Sequence, residues 1–390
     1  MLQPVSRTEP PNARSTLLTR PLLAVFAASF GAMMSFYMLL SVVPQFATSV
    51  GASGVGAGFA TGALMLSTVL SELATPALLA RTGYRSLTVC GLVLLGLPAM
   101  ALGWAGSVAS ILALCVLRGV GVALLVVVGG SLVASLVPAE RRGEGLGLYG
   151  FVVGVPGVVG LPLGLWLAER AGYRVAFLAG GLVALVAIAA VSLFPARPPD
   201  AVDSAGLTAS LRRRDLVHPS LLFSVTAMAA GVVVTFLPLA VVHESRGFVA
   251  IALLVQAATA TIARWWAGAH GDRHGPARLL VPALIVSAIG ILGLVRPSSA
   301  MIVLIAMGLF GAGFGVAQNA SLAVMFERAP ASEYDAVSAL WNVAYDAGLG
   351  TGAAGFGMIA ARIGYAPAFG VLVAAMLAAM LVLGREQQVE

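Results

Sequence analysis

Twelve long stretches of mostly apolar residues follow one another along the chain, and this pattern restricts its fold more than any other feature. A helix needs about 20 mostly apolar residues to cross the hydrocarbon core of a bilayer. Lipid offers the backbone no hydrogen-bond partners, so spanning segments of this length are helical. The sequence therefore predicts an all-α membrane protein with 12 transmembrane helices, at 22–47, 55–80, 86–105, 107–136, 143–168, 172–194, 218–241, 247–270, 277–296, 299–325, 333–360 and 364–384.

The composition indicates a surface that faces lipid rather than water. Of the 390 residues, 59% are hydrophobic and 10% are charged, whereas a soluble domain carries about 25% charged residues. The formal net charge is +6, and all 22 basic residues are arginine. In a soluble protein this charge would suggest nucleic acid, but no contiguous surface of basic and aromatic residues is available. We therefore expect membrane lipids, and no nucleic acid, as partners.

An internal repeat divides the chain into two similar parts. A shift of 192 residues superimposes matching residues at two distant places. The coinciding residues are Arg81 and Arg273, Gly83 and Gly275, Gly160 and Gly352, Gly172-Tyr173 and Gly364-Tyr365, and Phe177 and Phe369. One offset that holds at both places predicts two pseudo-symmetric six-helix bundles, the architecture of secondary transporters with parallel repeats.

Polar segments mark the expected domain boundaries. They predict a tail at 1–21, a six-helix bundle at 22–194, a linker at 195–217, a second bundle at 218–384 and a tail at 385–390. The polar start lacks a cleavable signal pattern, so the first helix is expected to be retained. With the N-terminus inside, 15 arginines lie in loops and ends on that side and 5 on the other. This bias predicts an inner-membrane protein with both termini in the cytoplasm.

Four ionisable residues at membrane depth call for a special explanation, because an isolated charge there costs several kcal/mol. Arg118 in helix 4 and Asp346 in helix 11 lie near the predicted midplane. Glu72 and Arg264 lie at equivalent positions under the 192-residue shift and carry opposite charge. The last two are candidates for a buried ion pair, or else for a gate or a proton site. We interpret all four as candidates for proton coupling or gating, with Asp346 as a carboxylate that responds to water access.

Polar uncharged residues within the predicted helices are candidates for lining a substrate cavity. They are Tyr37, Gln45, Gln256, Gln318, Asn319 and Asn342. Hydrogen bonds between helices are the alternative explanation for each of them. The four histidines lie at helix ends or loops without the spacing of metal ligands, and the two cysteines are too few for a metal site. We expect no metal and no cofactor.

The connections after helices 2 and 8 resemble the loop motif G-x-L-x-D-R-x-G-R-[RK] of the major facilitator superfamily. The second copy is formed by Gly268, Asp272, Arg273, Gly275 and Arg278. The first copy keeps Arg81, Gly83 and Arg85, but Ala80 stands where the motif has an Asp. The resemblance implies that the second loop does more of the conformational locking than the first.

Two further helices resemble motifs of proton-coupled members of this superfamily. Arg118-Gly119-Val120-Gly121 in helix 4 is similar to a motif whose Arg is associated with proton transfer. Helix 5 is similar, more loosely, to the Gly- and Pro-rich antiporter motif that accompanies export. The residues concerned are Gly154, Pro156, Gly160, Pro162 and Gly164. The run Gly311–Asn319, followed by Ser338–Gly352, is similar to the bacterial sugar-efflux and drug-efflux branch of the superfamily.

These features together predict a secondary active transporter that exports a small amphipathic molecule, a drug, a sugar or a native metabolite, by alternating access with proton antiport. One alternative is proton-coupled uptake of a sugar or an organic acid; another is a membrane sensor that transports nothing. No nucleophile–base pair or metal cluster can be assigned from the sequence, so we do not expect an enzyme. The expected partners are the substrate, protons and lipids, and the expected state is a monomer.

Overall fold

All regular secondary structure in the described residues is helical. The computed structural model describes residues 18–137, 142–194, 213–241, 246–296, 299–329 and 334–386. In the first half, α1 is Arg20–Leu40 continued by Val42–Ser49, α2 (54–82) and α3 (84–101) are the two arms of Gly54–Ala101, α4 is Val108–Leu136, α5 is Arg142–Ala171, and α6 is Tyr173–Val186 continued by Ile188–Val191. In the second half, α7 is Arg214–Ala240, α8 Arg246–His274, α9 Ala277–Leu292, α10 Ala300–Glu327, α11 Tyr334–Ile363 and α12 Tyr365–Glu386.

These helices confirm the predicted twelve-helix membrane fold. Nine stretches of the described chain are long and apolar enough to cross a bilayer by themselves, and α9 and α12 contain shorter apolar helices. Helix α11 is not among either group, and it is the helix that carries the polar residues Asn342 and Asp346. The predicted domain boundaries stay a prediction, since 1–17, 195–212 and 387–390 lie outside the described residues.

The 192-residue repeat is visible in the backbone. Gly83 and Gly275 have φ angles of 78° and 86°, and Gly172 and Gly364 have φ angles of 88° and 84°. Side chains other than hydrogen are disfavoured at such angles, which explains glycine at these four turns. The two halves therefore turn at equivalent places, between α2 and α3, α5 and α6, α8 and α9, and α11 and α12.

The N-terminal caps of α4 and α10 are also related by the 192-residue shift. Ser107 caps α4, and its Oγ accepts a hydrogen bond of 3.2 Å from the backbone N–H of Ser110. Ser299 caps α10 in the same way, with 3.3 Å from the N–H of Ile302 to its Oγ. Each cap satisfies a backbone donor that has no partner within the helix. The duplicated sequence thus specifies the same local structure twice.

The two halves meet mainly along two pairs of helices, α2 with α11 and α5 with α8. We call the side where α1 begins and α12 ends the termini side, and the opposite side the far side. On the far side of the bundle, the hydroxyls of Thr61 in α2 and Thr235 in α7 are 2.9 Å apart and buried. A Cβ on Gly58 would collide with the backbone carbonyl of Ala353 in α11, and one on Gly350 would lie 2.6 Å from the Cβ of Met65. These close approaches show that the halves are sealed against each other on the far side.

The interior between the halves is less tightly closed toward the termini side. Within the described residues, neither α4 nor α10 makes extensive contact with the opposite half. Contacts between α2 and α11 continue from the far side to the level of Glu72 and Asp346. We call the space between the halves at this level the cleft. The structure therefore represents a state that is closed on the far side.

We expect Gly58→Leu to prevent this closure. The new side chain would meet the backbone of α11, which cannot rotate away, and α2 and α11 would have to separate. Spin labels at Ser53 and Ala366 in a cysteine-free background should then show a longer distance across the far side than in the parent protein.

The matched control is Gly355→Leu, because a Cβ at Gly355 in α11 meets nothing within 4 Å. This variant should keep the parent distance. An unchanged distance in Gly58→Leu would contradict the sealing contact.

Candidate functional site

Two carboxyl groups meet where the halves join. Glu72 of α2 is 8% exposed and Asp346 of α11 is partly exposed. Their side chains lie close enough to interact directly, although neither buried oxygen of Glu72 makes a well-formed hydrogen bond. Because each half contributes one acid, the protonation of this pair bears directly on the contact between the halves.

Two tyrosines and an arginine complete a cluster around this pair. The side chains of Tyr37 in α1 and Tyr345 in α11 lie close to each other, and both are near Asp346. Arg264 of α8 lies near the two tyrosine side chains. We call Tyr37, Glu72, Arg264, Tyr345 and Asp346 the central cluster. It draws on four helices, α1 and α2 from the first half and α8 and α11 from the second.

Glu72 and Arg264 do not form the ion pair that their equivalent positions and opposite charges suggested. Glu72 contacts Asp346 instead, whereas Arg264 has the tyrosines as neighbours. Among the described residues, no carboxylate lies within ion-pair distance of Arg264. Glu72 and Arg264 thus belong to the same cluster but do not contact each other as an ion pair.

An aromatic stack extends from the central cluster into the second half. The ring of Phe223 in α7 lies 4.6 Å from the Trp341 ring and 5.9 Å from the Tyr345 ring, at interplanar angles of 8° and 11°. Trp341 and Tyr345 are four residues apart on α11 and are partly exposed, whereas Phe223 is fully buried. The Nε1–H of Trp341 donates to Oγ of Ser321 over 3.0 Å, which fixes the indole ring.

Arg118 does not join the central cluster. It is 0% exposed in the first half, and one guanidinium nitrogen donates over 3.4 Å to the backbone carbonyl of Ser35 in α1. Its other two nitrogens are buried without a hydrogen-bond partner. Neither Glu72 nor Asp346 forms an ion pair with it. The expected role of Arg118 in proton coupling or gating therefore stays a prediction.

The six polar residues that were expected to line one cavity lie in several different environments. Tyr37 belongs to the central cluster, and Asn342 lies one turn before Asp346, where its amide donates to the Ser338 carbonyl of its own helix. Asn319 lines a polar pocket of about 280 Å³ between α8 and α10 on the termini side. The remaining ones are Gln45 and Gln256, which are buried, and Gln318, which is partly exposed. A cavity role for the six residues stays a prediction, with Tyr37 in the central cluster and Asn319 at a pocket.

The two arginines of the first loop motif have different surroundings. Arg85 donates from Nε over 2.8 Å, and also from a terminal nitrogen, to the carbonyl oxygen of Phe194 at the end of α6. Arg81 is exposed, without a hydrogen bond or ion pair to any described residue. Arg85 thus fixes the point where the chain leaves the first half.

The second loop motif lies at the end of α8 and the beginning of α9. Gly268 faces Asn319, and Gly275 provides the turn into α9. Arg273 and Arg278 are exposed. The side chain of Asp272, on which the expected locking role depends, lies outside the described part of the structure.

The Gly- and Pro-rich part of α5 packs mainly against α1. A Cβ on Gly164 would collide with the carbonyl of Met38, and one on Gly160 would lie 3.0 Å from the Cβ of Tyr37. Pro162 instead lines an apolar groove of about 370 Å³ between α5 and α8. Pro156 is buried, and a Cβ on Gly154 would meet nothing within 4 Å. The glycines therefore serve close packing within the first half, and Gly154 leaves a space.

The sequence analysis missed three members of this region: Phe223, Trp341 and Tyr345. The spacing of Trp341 and Tyr345 was available as a signal, since residues four apart share a helix face. Asn342 and Asp346 show the same spacing one position later, so α11 carries two adjacent polar and aromatic rows. The position of Phe223 behind them depends on packing between helices and had no signal in the sequence.

A polar cluster enclosed between two duplicated six-helix bundles defines the chain as a secondary transporter of the membrane. The sequence profile of the Major Facilitator Superfamily matches residues 25–353 and, in a second match, 220–388. The chain therefore belongs to the major facilitator superfamily, and it is an integral membrane transporter rather than an enzyme.

Individual relatives agree with this assignment. An uncharacterised transporter of Mycobacterium tuberculosis, Rv1250, is 30% identical over 44% of this chain, and the match spans only 31% of that protein. The inner membrane transport protein YdhP of Escherichia coli O157:H7 is 25% identical, with 95% of this chain and 97% of YdhP covered. A chloramphenicol resistance protein of Streptomyces lividans is 28% identical, with coverages of 91% and 93%.

Solved structures show the same fold. The nucleoside transporter NupG aligns with a TM-score of 0.77 and covers 93% of this chain and 99% of its own, at 8% identity. At this identity the similarity defines the architecture alone.

We expect Arg118→Met to stabilise the protein by on the order of 1–3 kcal/mol, because it removes a buried cation that has no carboxylate partner. Thermal unfolding of the purified protein in detergent should show a higher midpoint. Arg118→Lys, which keeps the charge, serves as the control and should show no such gain. A lower midpoint for Arg118→Met would contradict an uncompensated charge.

We expect Arg85→Ala to destabilise the protein by about 1.5–3 kcal/mol, because a charged donor is removed from the Phe194 carbonyl. Arg81→Ala changes an arginine of the same motif that lacks this contact, and it should leave the unfolding midpoint unchanged. Equal effects of the two substitutions would show that the Phe194 contact contributes nothing specific.

Proposed function

We propose that this transporter exports a small amphipathic molecule by alternating access, in exchange for protons. The proposal depends on one observation, the adjacent carboxyl groups of Glu72 and Asp346 between the halves. Carboxyl groups at membrane depth are costly unless they serve ion or substrate movement. A pair shared by both halves is suited to coupling protonation to the rocking of one half against the other.

Charge repulsion supplies the link between protonation and conformation. Two neutral carboxyl groups can lie side by side, whereas ionising them creates like charges in a medium of low dielectric constant. Protonation therefore favours contact between α2 and α11 and hence the state closed on the far side. Loss of protons weakens that contact and favours opening there.

Competition for the carboxyl groups makes the exchange obligatory. With the termini side in the cytoplasm, the pair releases its protons inward, and hydrogen-bond donors of the substrate take their place. The halves then rock, and protons from outside displace the substrate on the far side. Proton and substrate bind the same groups and exclude each other, which is the thermodynamic basis of antiport.

Two observations favour export over uptake. The Gly- and Pro-rich α5 resembles the antiporter motif, and its Gly160 and Gly164 pack tightly against α1. The relative from Streptomyces lividans, which matches nearly the full length, is named for chloramphenicol resistance. The arginine bias of the loops supports cytoplasmic termini in an inner membrane. Tyr37 and Asn342 are the proposed cavity residues nearest to the carboxyl pair.

Asp346→Asn and Glu72→Gln should each reduce proton-linked transport at least about tenfold, since each removes an ionisable group of the pair. Inverted vesicles with a respiration-driven, acid-inside gradient and a pH-sensitive acridine dye provide the assay, with chloramphenicol as the probe. In parent vesicles the probe should dissipate part of the gradient, and in both variants it should not.

Glu169→Gln is the matched control, because Glu169 is an exposed acid at the end of α5 outside the central cluster. It should behave as the parent protein does. A response in parent vesicles no greater than in vesicles without the transporter would contradict export of this class of compound. A full response in both carboxyl variants would remove the pair from the coupling mechanism.

A further inference from the structure

Arg264 is a cation in the cleft without an acidic partner among the described residues. It is partly exposed, and its charged group has the Tyr37 and Tyr345 side chains as its neighbours. Unlike the fully buried Arg118, Arg264 keeps part of its side chain exposed, which suits a charge at this depth that lacks a counter-ion. Its guanidinium group is therefore available to act on molecules that enter the cleft.

The internal repeat explains why Arg264 lacks a partner. The shift of 192 residues relates Glu72 to Arg264, and it relates Asp346 to Gly154. The α2–α11 contact, where Glu72 meets Asp346, thus corresponds to the contact between α8, which carries Arg264, and α5, which carries Gly154. A Cβ at Gly154 would meet nothing within 4 Å. Where one interface holds two acids, its counterpart holds one arginine and an open space.

The two interfaces have opposite effects on a charged ligand. An ionised carboxyl pair in a cleft of low dielectric constant attracts organic cations strongly. Arg264, across the two tyrosines from that pair, opposes the attraction by repelling the same cations. Specificity often depends on such a repulsive element as well as on attractive contacts.

We propose that Arg264 excludes organic cations from the cleft and restricts the substrate to neutral aromatic molecules with hydrogen-bond donors. This inference depends on the proposed function in one respect, namely that the cleft is where the substrate binds. The donors bind the carboxyl pair, and the aromatic ring packs on the partly exposed rings of Trp341 and Tyr345. The planes of the Trp341 and Tyr345 rings differ by only 8°, so the two rings present parallel faces to an aromatic substrate.

Binding of tetraphenylphosphonium, an aromatic cation, to purified protein tests the proposal directly. A radiolabelled probe and a scintillation proximity assay report binding without any requirement for transport. The parent protein should bind this cation weakly, and Arg264→Gln should bind it at least about tenfold more tightly, because one repulsive charge is gone. Arg264→Lys keeps the charge and should bind as weakly as the parent.

A second variant tests the same idea without changing Arg264. Gly154→Asp places a carboxylate at the position equivalent to Asp346, in the open space on α5, and supplies Arg264 with a counter-ion. This variant should also gain binding of tetraphenylphosphonium. Gly154→Asn, of nearly the same size but uncharged, should not. Size-exclusion profiles identify any variant that is not folded. If the variants of one series do not fold, the other series, at Arg264 or at Gly154, is sufficient to test the proposal.

The double variant Arg264→Gln/Asp346→Asn tests whether the carboxyl pair causes the gain in affinity for tetraphenylphosphonium. The gain should disappear there, because the attracting carboxyl pair is incomplete. Parent protein that binds the cation as tightly as Arg264→Gln, or equal binding by the Gln and Lys variants, would overturn the proposal. A selective gain together with failure of the proton-flux assay would leave the exclusion intact and contradict only the antiport mechanism.

Discussion

The contact between Glu72 and Asp346 is the interaction on which the rest of this structure depends. Lipid makes an isolated carboxylate expensive, so an acid within a membrane helix needs water, a proton or a partner. Here each half supplies one acid, and the two meet where α2 packs against α11. In the proposed mechanism, the stability of the far-side closure and the protonation of the carboxyl pair are linked in one equilibrium.

Most of the fold could be predicted because the membrane leaves few alternatives. Once a stretch is long and apolar enough to span a bilayer, it is a helix, and the 192-residue repeat divides the twelve helices into two halves. The repeated glycines at 83 and 275, and at 172 and 364, proved to be turns with positive φ. What the sequence did not reveal was the conformational state, since closure on the far side depends on shape complementarity around Gly58 and Gly350.

The members of the candidate site were predictable only in part, since Tyr345 was missed and Arg118 lies outside the cluster, and the contacts within the site were not predictable. The cost of burial singled out Glu72, Arg264 and Asp346, and all three do lie in one cluster. An ion pair between Glu72 and Arg264, one of the alternatives left open by the sequence, does not form, because equivalent positions of a repeat lie in different interfaces. A rotation that superimposes the two halves carries the α2–α11 contact onto the α8–α5 contact. Glu72 and Arg264 therefore occupy corresponding interfaces, and each has its own partner position.

In the proposal for Arg264, departure from the symmetry of the repeat is the source of chemical specificity. A strictly duplicated chain would place the same acids at both interfaces, and the cleft would carry a strong negative charge. This chain has an arginine in place of the second Glu and a glycine in place of the second Asp, at 264 and 154. The fold keeps the two interfaces structurally equivalent, whereas Arg264 and Gly154 reverse the charge of the α8–α5 interface. In the proposals made above, gating by the carboxyl pair and exclusion of cations by Arg264 are thus assigned to different interfaces of the same cleft.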